Sequence, residues 1–231
     1  MSRPDVQALF DRIAPVYDAM NERISYGRQR VWKRRLVRDA AAAGGRALDL
    51  CCGTGDIALL LAASGRFSEL EALDFSSGML AIAGRRLAGL PVTLHNADAS
   101  RPLPFLNGRF DAVTLSFGLR NLAGPAAVLP EIRRILAAGG RLYLLDACRP
   151  EGVPARLAHW VQYRIFFPLM TRKRRADYDW LRRSSEGFWS PAELREAAAA
   201  AGFQCIKARR YALGLVLYLV LEASKGEEAV P

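Results

Sequence analysis

The sequence predicts an α/β fold: a mostly parallel sheet of seven strands with helices on both faces and an antiparallel hairpin at one edge. Three observations support this prediction. Short apolar segments alternate with segments of helical periodicity between residues 46 and 146, an order typical of parallel α/β sheets. Two apolar segments near the carboxyl end are separated by a short connection, which indicates a hairpin. Glycines 53 and 55 lie between the first predicted strand and a helix.

The predicted elements follow from apolar spacing and from residues that start and stop helices. Residues 5–40 place apolar side chains at helical intervals, and Pro15 breaks or bends the pattern. We expect Gly139 and Gly140 to end a helix before the fifth strand, and Ser190 to cap the last helix. The predicted strands are 46–50, 70–74, 92–96, 110–116, 141–146, 204–210 and 213–224. The predicted helices after residue 40 are 56–63, 78–87, 125–136, 154–170 and 191–201.

The composition indicates one globular domain with reduced thiols. Hydrophobic residues make up 51% and charged residues 24% of the 231 residues, enough for a complete core. Residues 1–20 contain no apolar signal-peptide core, and the apolar segment 211–221 is shorter than the ~20 residues that span a bilayer. We therefore expect a cytoplasmic protein. The cysteines form no C-x-x-C pattern, so we expect no metal site; they are Cys51, Cys52, Cys148 and Cys205.

The net charge of +10 leaves three interpretations open. Arginine-rich composition can simply aid solubility, or the charge can serve an anionic membrane surface or RNA. The basic residues cluster in two segments, at Arg28, Arg30, Lys33, Arg34, Arg35 and Arg38, and at Arg172, Lys173, Arg174 and Arg175.

The turn after the first predicted strand indicates a nucleoside-type cofactor. Gly53 and Gly55 permit close backbone approach, and Asp74 and Asp98 each follow a later strand. An acid placed like Asp74 can accept both hydroxyls of a ribose. A dinucleotide would require G-x-G-x-x-G, and the carboxylate of Asp56 beside the glycines would repel a pyrophosphate. The pattern therefore favours S-adenosylmethionine, with an ordinary βα turn and surface acids as the alternative.

Three segments are distinctive besides the loop 49–56. They are FDRIAPVYDAMN at 10–21, LDFSSGML at 73–80 and FGLRN at 117–121. With the loop, these segments make the chain similar to the class I methyltransferase fold, which is Rossmann-like, and more closely to the menaquinone and ubiquinone C-methyltransferase family. The similarity is good over residues 5–150 and looser beyond.

The resemblance implies methylation of a ring carbon of a prenylated quinol. The pair Cys51 and Cys52 resembles the plant and cyanobacterial branch, which methylates a naphthoquinone with a phytyl tail, and Tyr218 stands where the ubiquinone branch has a histidine. We favour conversion of demethylmenaquinol to menaquinol, and keep the ubiquinone-pathway and phylloquinone-type reactions as alternatives. The implied domains are a helical cap at 1–40 and a methyltransferase domain at 41–231, with 150–190 as a substrate lid.

Arg120 and Asn121 end the fourth strand, where open α/β sheets bind ligands, and are the predicted catalytic residues. Arg120 is expected to stabilise a developing phenolate; a structural salt bridge is the alternative. An arginine stays protonated, so a water held by Asn121 is the expected proton acceptor. His159 lies in an aromatic-rich segment and is a weaker candidate for facing the substrate, whereas His95 is expected to be structural.

The predicted cofactor site combines strand-end acids, the glycine loop and neighbouring residues. Asp98 is expected to accept a hydrogen bond from the adenine amino group while the Ala99 N–H meets a ring nitrogen; a helix cap is the alternative for Asp98. The resemblance implies that Tyr17 covers the methionine end, unless it is an ordinary core aromatic. The predicted set is Tyr17, Asp49, Gly53, Gly55, Asp56, Asp74, Phe75, Asp98, Ala99 and Ser116.

The aromatic segment 157–170, followed by the basic residues 172–175, is typical of a helix that lies at a membrane interface. We expect reversible contact with the inner face of an anionic membrane; a core helix and solvated loop are the alternative. No nucleic acid is expected, and a homodimer is left open. An RNA or protein methyltransferase is disfavoured because no Asn-Pro-Pro-aromatic signature follows the fourth strand. A non-catalytic, cofactor-binding assembly protein is disfavoured by the Arg120–Asn121 pair.

Overall fold

The computed structural model of the chain describes residues 3–162, 164 and 183–224, with side chains from residue 6 onward. The strands are β1 (Gly45–Leu50), β2 (Phe67–Asp74), β3 (Val92–Asn96), β4 (Phe110–Ser116), β5 (Leu136–Ala147), β6 (Phe203–Tyr211) and β7 (Val216–Ala223). The helices are α1 (Arg3–Ile13), α2 (Tyr17–Ile24), α3 (Arg28–Ala41), α4 (Asp56–Ala63), α5 (Ser77–Arg86), α6 (Pro125–Ile135), α7 (Gly152–Val161) and α8 (Pro191–Ala200). Short 3-10 turns occupy Ala14–Val16, Leu119–Asn121 and Ala212–Gly214.

The seven strands form one sheet in the order β3-β2-β1-β4-β5-β7-β6. Strands β1 to β5 are parallel, and β7 runs antiparallel to both β5 and β6. The predicted sheet and its edge hairpin are therefore confirmed. The direction of strand addition reverses at β1, so a crevice opens at the carboxyl ends of β1 and β4, where such sheets bind ligands.

Apolar side chains on both faces of the sheet explain why helices cover both faces. On one face Leu48 packs in a buried cluster with Leu129 of α6 and Leu194 of α8. On the other face Leu36 of α3 and Leu61 of α4 belong to a second buried cluster. Burying one such side chain contributes ~1.5–3 kcal/mol, so these contacts hold the helices on the sheet.

The expectation that Gly139 and Gly140 end a helix is wrong. Helix α6 ends earlier, and β5 begins at Leu136, which pairs with Phe110 of β4. A β-carbon at Gly140 would lie 2.9 Å from the carbonyl oxygen of Ala137 and 3.0 Å from that of Phe110. The glycine thus permits a close backbone approach at an irregular point inside the strand.

Other boundaries agree more closely with the sequence. Helix 56–63 is confirmed, and Ser190 caps α8 in a reciprocal capping box with Glu193. The last strand begins at Val216 rather than at 213, because Ala212–Gly214 form a turn.

The predicted helix 154–170 corresponds to α7 as far as Val161. Residues 163 and 165–170 of that prediction lie outside the described residues. The basic segment 172–175 lies outside them as well.

Helices α1 and α2 lie over the carboxyl edge of the sheet and are held there by polar contacts. Asp11 accepts hydrogen bonds from the Ser76 hydroxyl at 2.6 Å and from the Gly78 N–H at 2.9 Å. Asp18 accepts a hydrogen bond from the Thr54 hydroxyl at 2.7 Å. These contacts close one side of the crevice.

Candidate active site

The loop between β1 and α4 forms the floor of the crevice. Its Cys51, Gly53 and Gly55 have φ values of 57°, 56° and 79°, in the left-handed region that glycine adopts most easily. A β-carbon at Gly55 would lie 3.1 Å from the β-carbon of Ala83 in α5, so the second glycine also permits close packing. The loop therefore leaves room for a ligand near its backbone.

One of two cavities adjoins this loop, and Tyr17 and Phe117 line both cavities. The inner cavity is surrounded by α1, the glycine loop and the carboxyl ends of β2 and β4; its polar walls include Asp74, Asp98, Ser116 and Asn121. The outer chamber lies beyond Tyr17 and Phe117, between α2, α3, α7 and the start of β7; its walls include Asn21, Trp32, Arg120, His159 and Val216. One molecule in each cavity would meet the other at the shared aromatic residues.

Asp74 ends β2 and lines the inner cavity. Its carboxylate accepts hydrogen bonds from the backbone N–H groups of Gly53 at 2.8 Å and Ser76 at 2.9 Å. Burial raises its pKa to about 6, although these hydrogen bonds favour the ionised form. A carboxylate has about four acceptor sites, so Asp74 can still accept from a hydroxyl group of a ligand.

Three of the predicted cofactor residues support the loop from behind instead of lining the cavity. The buried Asp49 accepts from the Ala58 N–H at 3.1 Å and the Thr114 hydroxyl at 2.8 Å. Asp56 forms an ion pair with Lys33 of α3 at 2.6 Å. Gly55 packs against α5, as described above. Such contacts fix the shape of the loop.

The structure brings most of the other predicted cofactor residues together. Asp98 lines the inner cavity and also accepts from the Ser100 N–H at 3.0 Å in a turn. No helix begins in the described residues between β3 and β4, so the helix cap named as its alternative role is not found there. The buried Ala99 does not line the cavity. The predicted residues on the wall of the inner cavity are Tyr17, Gly53, Asp74, Phe75, Asp98 and Ser116.

Two buried polar atoms on this wall have no hydrogen-bond partner in the described part of the chain. They are the hydroxyl oxygen of Ser116 and the side-chain oxygen of Asn121. The Asn121 amide nitrogen donates to the carbonyl of Phe117 at 3.3 Å, so the oxygen faces away from that contact. Buried polar groups normally have partners, so these atoms fit a polar ligand or a bound water.

Arg120 lines the outer chamber and is also part of a buried ion pair. Its guanidinium pairs with Asp146, at the end of β5, and donates to the carbonyl of Phe117 at 3.0 Å. Phe117 has a φ of 57°, so the chain turns sharply directly after β4. The structural salt bridge named as the alternative therefore exists, and the same side chain still reaches the chamber.

The two histidines lie in different environments. His95 of β3 contacts the carboxylate of Glu71 at 2.6 Å and stacks edge-on against Phe105, so its structural role is confirmed. His159 lies in the last turn of α7 and lines the outer chamber. The position of His159 is therefore compatible with the hypothesis that it faces the substrate, because Arg120 lines the same chamber.

The outer chamber combines an apolar lining with a few polar groups. Trp32 stacks on Tyr211 with ring centroids 5.4 Å apart and contributes to its wall with Ile24 and Leu215. Burial raises the pKa of Tyr17, so its hydroxyl stays protonated. A flat aromatic ring with polar substituents fits such a lining.

Sequence reasoning missed part of both linings. Phe10 and Met79 form apolar walls of the inner cavity, and Gln29 lies on the wall of the outer chamber. Phe10 lies on the apolar face of a helix. Such a face has the same spacing in the sequence whether it packs on the core or lines a cavity. Only the resemblance over 10–21 and 73–80 indicated that these segments approach a ligand.

The cysteines are all free, as expected. Cys52 is buried, and Cys51 lines the inner cavity. Burial raises the pKa of both thiols well above the ordinary value, so they act as small apolar groups.

The residues of the inner cavity fit S-adenosylmethionine. Asp74 and Asp98 provide acceptors for ribose hydroxyls and an amino group, Phe75 and Met79 provide apolar surfaces, and Ser116 provides an unpartnered buried hydroxyl. Together with the sheet order, this site defines an S-adenosylmethionine-dependent methyltransferase of class I. The chain belongs to the ubiE/COQ5 methyltransferase family, whose model matches residues 1–220.

Known relatives are similar over nearly the whole chain. A 2-phytyl-1,4-naphtoquinone methyltransferase from Synechococcus elongatus is 40% identical over 228 residues, which cover 95% of this chain and 98% of the relative. A demethylmenaquinone methyltransferase from Staphylococcus aureus is 32% identical over 220 residues, 93% of this chain and 91% of the relative.

Solved structures support the fold. A Haloferax volcanii methyltransferase in complex with the Trm112 activator superimposes with a TM-score of 0.68 at 20% identity, covering 93% of this chain and 97% of the other. An S-adenosylmethionine-dependent methyltransferase from Thermotoga maritima superimposes with a TM-score of 0.66 at 18% identity, covering 95% of this chain and 100% of the other.

Proposed function

We propose that this protein methylates a ring carbon of a prenylated demethylnaphthoquinol, the conversion of demethylmenaquinol to menaquinol, with S-adenosylmethionine as the donor. The observation that carries the proposal is the pair of cavities that meet at Tyr17 and Phe117. The relative that is 40% identical over 95% of the chain is named for a naphthoquinone substrate, which supports this ring over a benzoquinone. A phylloquinone-type quinol is the nearest alternative, and a ubiquinone-pathway quinol is the next.

The inner cavity holds the cofactor in this proposal. Asp74 accepts the ribose hydroxyls, Asp98 accepts from the adenine amino group, and the N–H of Ala99 meets a ring nitrogen. Tyr17 covers the methionine end at the junction of the cavities. Phe75, Gly53 and Ser116 complete the wall. Asp49, Gly55 and Asp56 act indirectly, by holding the glycine loop in shape.

The outer chamber holds the ring of the quinol. When bound, the cofactor supplies an electrophilic methyl group on a sulfonium. Arg120 stabilises negative charge on the ring oxygen, and its ion pair with Asp146 fixes the guanidinium. The buried side-chain oxygen of Asn121 accepts a hydrogen bond from a group in the inner cavity and helps to orient it. Apolar walls around the ring exclude water from the reacting atoms.

Helix α7 supports contact with a membrane. Val153, Leu157 and Trp160 are 77%, 59% and 53% exposed, and their spacing puts them on one face of the helix. Arg156 and Arg164 are exposed near this face. An apolar stripe with adjoining arginines is typical of interfacial docking on anionic lipid. Within the described ranges no helix has the length and hydrophobicity needed to cross a bilayer.

We therefore propose an enzyme that works at the cytoplasmic face of the membrane and takes its prenylated substrate from the bilayer. The stripe on α7 lies on the helix that carries His159 in the chamber wall. A substrate tail can thus remain in lipid while the ring enters the protein.

A transfer assay with labelled S-adenosylmethionine tests the proposed function. The purified protein is incubated anaerobically with lipid, RNA and protein fractions of a demethylquinone-accumulating extract. Label in the quinone fraction is the expected result. Label in RNA or protein would indicate the competing methyltransferase classes, and no transfer despite cofactor binding would indicate a non-catalytic protein. Parallel incubation with purified naphthoquinols and benzoquinols identifies the ring.

A further inference from the structure

We propose that His159 accepts the proton that the ring hydroxyl of the substrate loses. This inference rests on the proposed function, because it concerns a phenol-type substrate in the outer chamber. His159 is partly buried in the last turn of α7, and it lines the chamber together with Arg120.

No other titratable group on the described wall of the chamber can take this proton near neutral pH. Arg28 and Arg120 remain protonated, and they have no acceptor atom. The other two titratable groups are the phenols of Tyr17 and Tyr26. A tyrosine hydroxyl is an acid with an ordinary pKa of about 10, not a base for neutral pH, and burial raises the pKa of Tyr17.

Carboxylates are absent from the described chamber wall. Asp146 is fully buried and already accepts from the guanidinium of Arg120 and from two backbone N–H groups. The turn Ala212–Gly214, which packs against α7, contains no charged residue. Among the described groups, the imidazole is therefore the one suited to the task.

Imidazole is the side chain whose ordinary titration falls between about pH 5 and pH 8. A positioned general base contributes roughly 100-fold to 10,000-fold in rate. The competing acceptor, a water held by Asn121, would be bound on the wall of the inner cavity and not of the outer chamber.

The O–H bond of the ring hydroxyl breaks, and its proton goes to the imidazole of His159. The electron pair left on oxygen is delocalised onto the neighbouring ring carbon, which forms the bond to the methyl group, and the pair of the broken carbon–sulfur bond stays on sulfur. Arg120 stabilises the negative oxygen. The ring carbon then loses its hydrogen as a proton to water, and aromaticity is restored.

Replacement of the histidine tests the inference, and the chain provides a matched control. Its two histidines permit the same substitution at a distant site, so His159→Gln is compared with His95→Gln. We expect His159→Gln to lower kcat about 100-fold near neutral pH. The loss should shrink at alkaline pH, because an ionised quinol needs no acceptor. Calorimetric affinity for S-adenosylmethionine should not change, and His95→Gln should behave like the wild type.

A second readout needs no methyl transfer. The probe is 4-methoxy-1-naphthol, which keeps one ring hydroxyl and changes its absorbance on ionisation. Bound to the wild type, it should ionise at lower pH than when bound to His159→Gln. Equal ionisation midpoints, or a loss of kcat that is the same at every pH, would overturn the role of His159.

The two proposals can fail separately. If the wild type methylates naphthoquinol and His159→Gln matches it in both assays, only the inference about His159 is wrong. If the wild type binds cofactor and probe but methylates no quinol, the proposed function is wrong, and the role of His159 falls with it.

Discussion

Arg120 and Asp146 form a buried ion pair that joins the turn after β4 to the end of β5. Their side chains are 8% and 0% exposed, and Asp146 also accepts from the backbone N–H of Arg120 at 3.2 Å. The acid thus holds both the backbone and the guanidinium of the arginine. The structural salt bridge and the proposed catalytic role of Arg120 are consequently compatible, because Asp146 holds Arg120 on the chamber wall.

Breaking this pair on one side should destabilise the protein. Arg120→Met leaves the buried carboxylate of Asp146 without its counter-ion, which costs about 3–5 kcal/mol. The double variant Arg120→Met, Asp146→Leu should recover much of that free energy of unfolding, measured with urea, but little turnover. Wild-type turnover in the double variant would contradict a catalytic role for Arg120.

Asp74→Ala should weaken the binding of S-adenosylmethionine about tenfold or more, because a buried acceptor of hydroxyl groups contributes about 1.5–3 kcal/mol. Calorimetry measures the affinity directly. Glu69→Ala is the matched control, since Glu69 lies on the same strand but pairs with Arg109 at the surface. Equal affinities for the two variants would remove Asp74 from the cofactor site.

Asp49 should make the ligand-free protein less stable as pH rises. Burial raises its pKa to about 7, whereas an unfolded aspartate titrates near 4. The folded state therefore keeps the proton to higher pH, and the free energy of unfolding falls between about pH 4 and pH 7 and then stays level. Each pKa unit of difference between the folded and unfolded states corresponds to about 1.4 kcal/mol in the free energy of unfolding.

Asp49→Asn isolates this contribution, since the amide keeps an acceptor for the Ala58 N–H. The variant should be more stable than the wild type near pH 8 and similar to it near pH 4. Urea unfolding at both pH values provides the comparison. If the free energy of unfolding depended on pH in the same way for both proteins, the pKa of Asp49 would not be raised in the folded state.

The stripe on α7 should bind anionic vesicles in a salt-sensitive manner. Leu157→Ser, Trp160→Ser should abolish co-flotation with the vesicles while leaving cofactor affinity intact. Leu106→Ser is the control, because Leu106 is 80% exposed elsewhere on the surface. A wild type that fails to float with vesicles even at low salt would contradict docking by α7.

The basic segment 172–175, which follows α7 in the sequence, can be tested in the same flotation assay. Replacing its four basic residues by Gln should weaken vesicle binding, since each contributes about 1 kcal/mol near an anionic surface. Unchanged binding would assign the contact to the apolar stripe alone. The residues are Arg172, Lys173, Arg174 and Arg175.

The sheet could be predicted from the sequence because its central strands are buried. Buried strands consist of short apolar segments, which are easy to recognise. It could not distinguish the environments of Asp49 and Asp74, since both lie near strand ends after apolar residues. Asp49 is the last residue but one of β1, and its side chain points under the loop to Thr114. Asp74 is the last residue of β2, at the carboxyl end of the strand, and its side chain lines the inner cavity.

Long-range partners were beyond the reach of sequence reasoning. Lys33 neutralises Asp56 across 23 positions in the chain, and Asp146 pairs with Arg120 across 26. Such contacts depend on how helices and strands pack, and no local pattern reports them. Gly140 shows the same limit, because its close approach to β4 resembles a helix end when only the sequence is considered.

The central claim is tested most directly by identifying the product of the purified enzyme. The protein is given S-adenosylmethionine with an isotope-labelled methyl group and a reduced, prenylated demethylnaphthoquinol under anaerobic conditions, and the product is analysed by NMR. The account predicts a labelled methyl group on a ring carbon. A label on oxygen, or no transfer to this quinol by a protein that binds the cofactor, would contradict it.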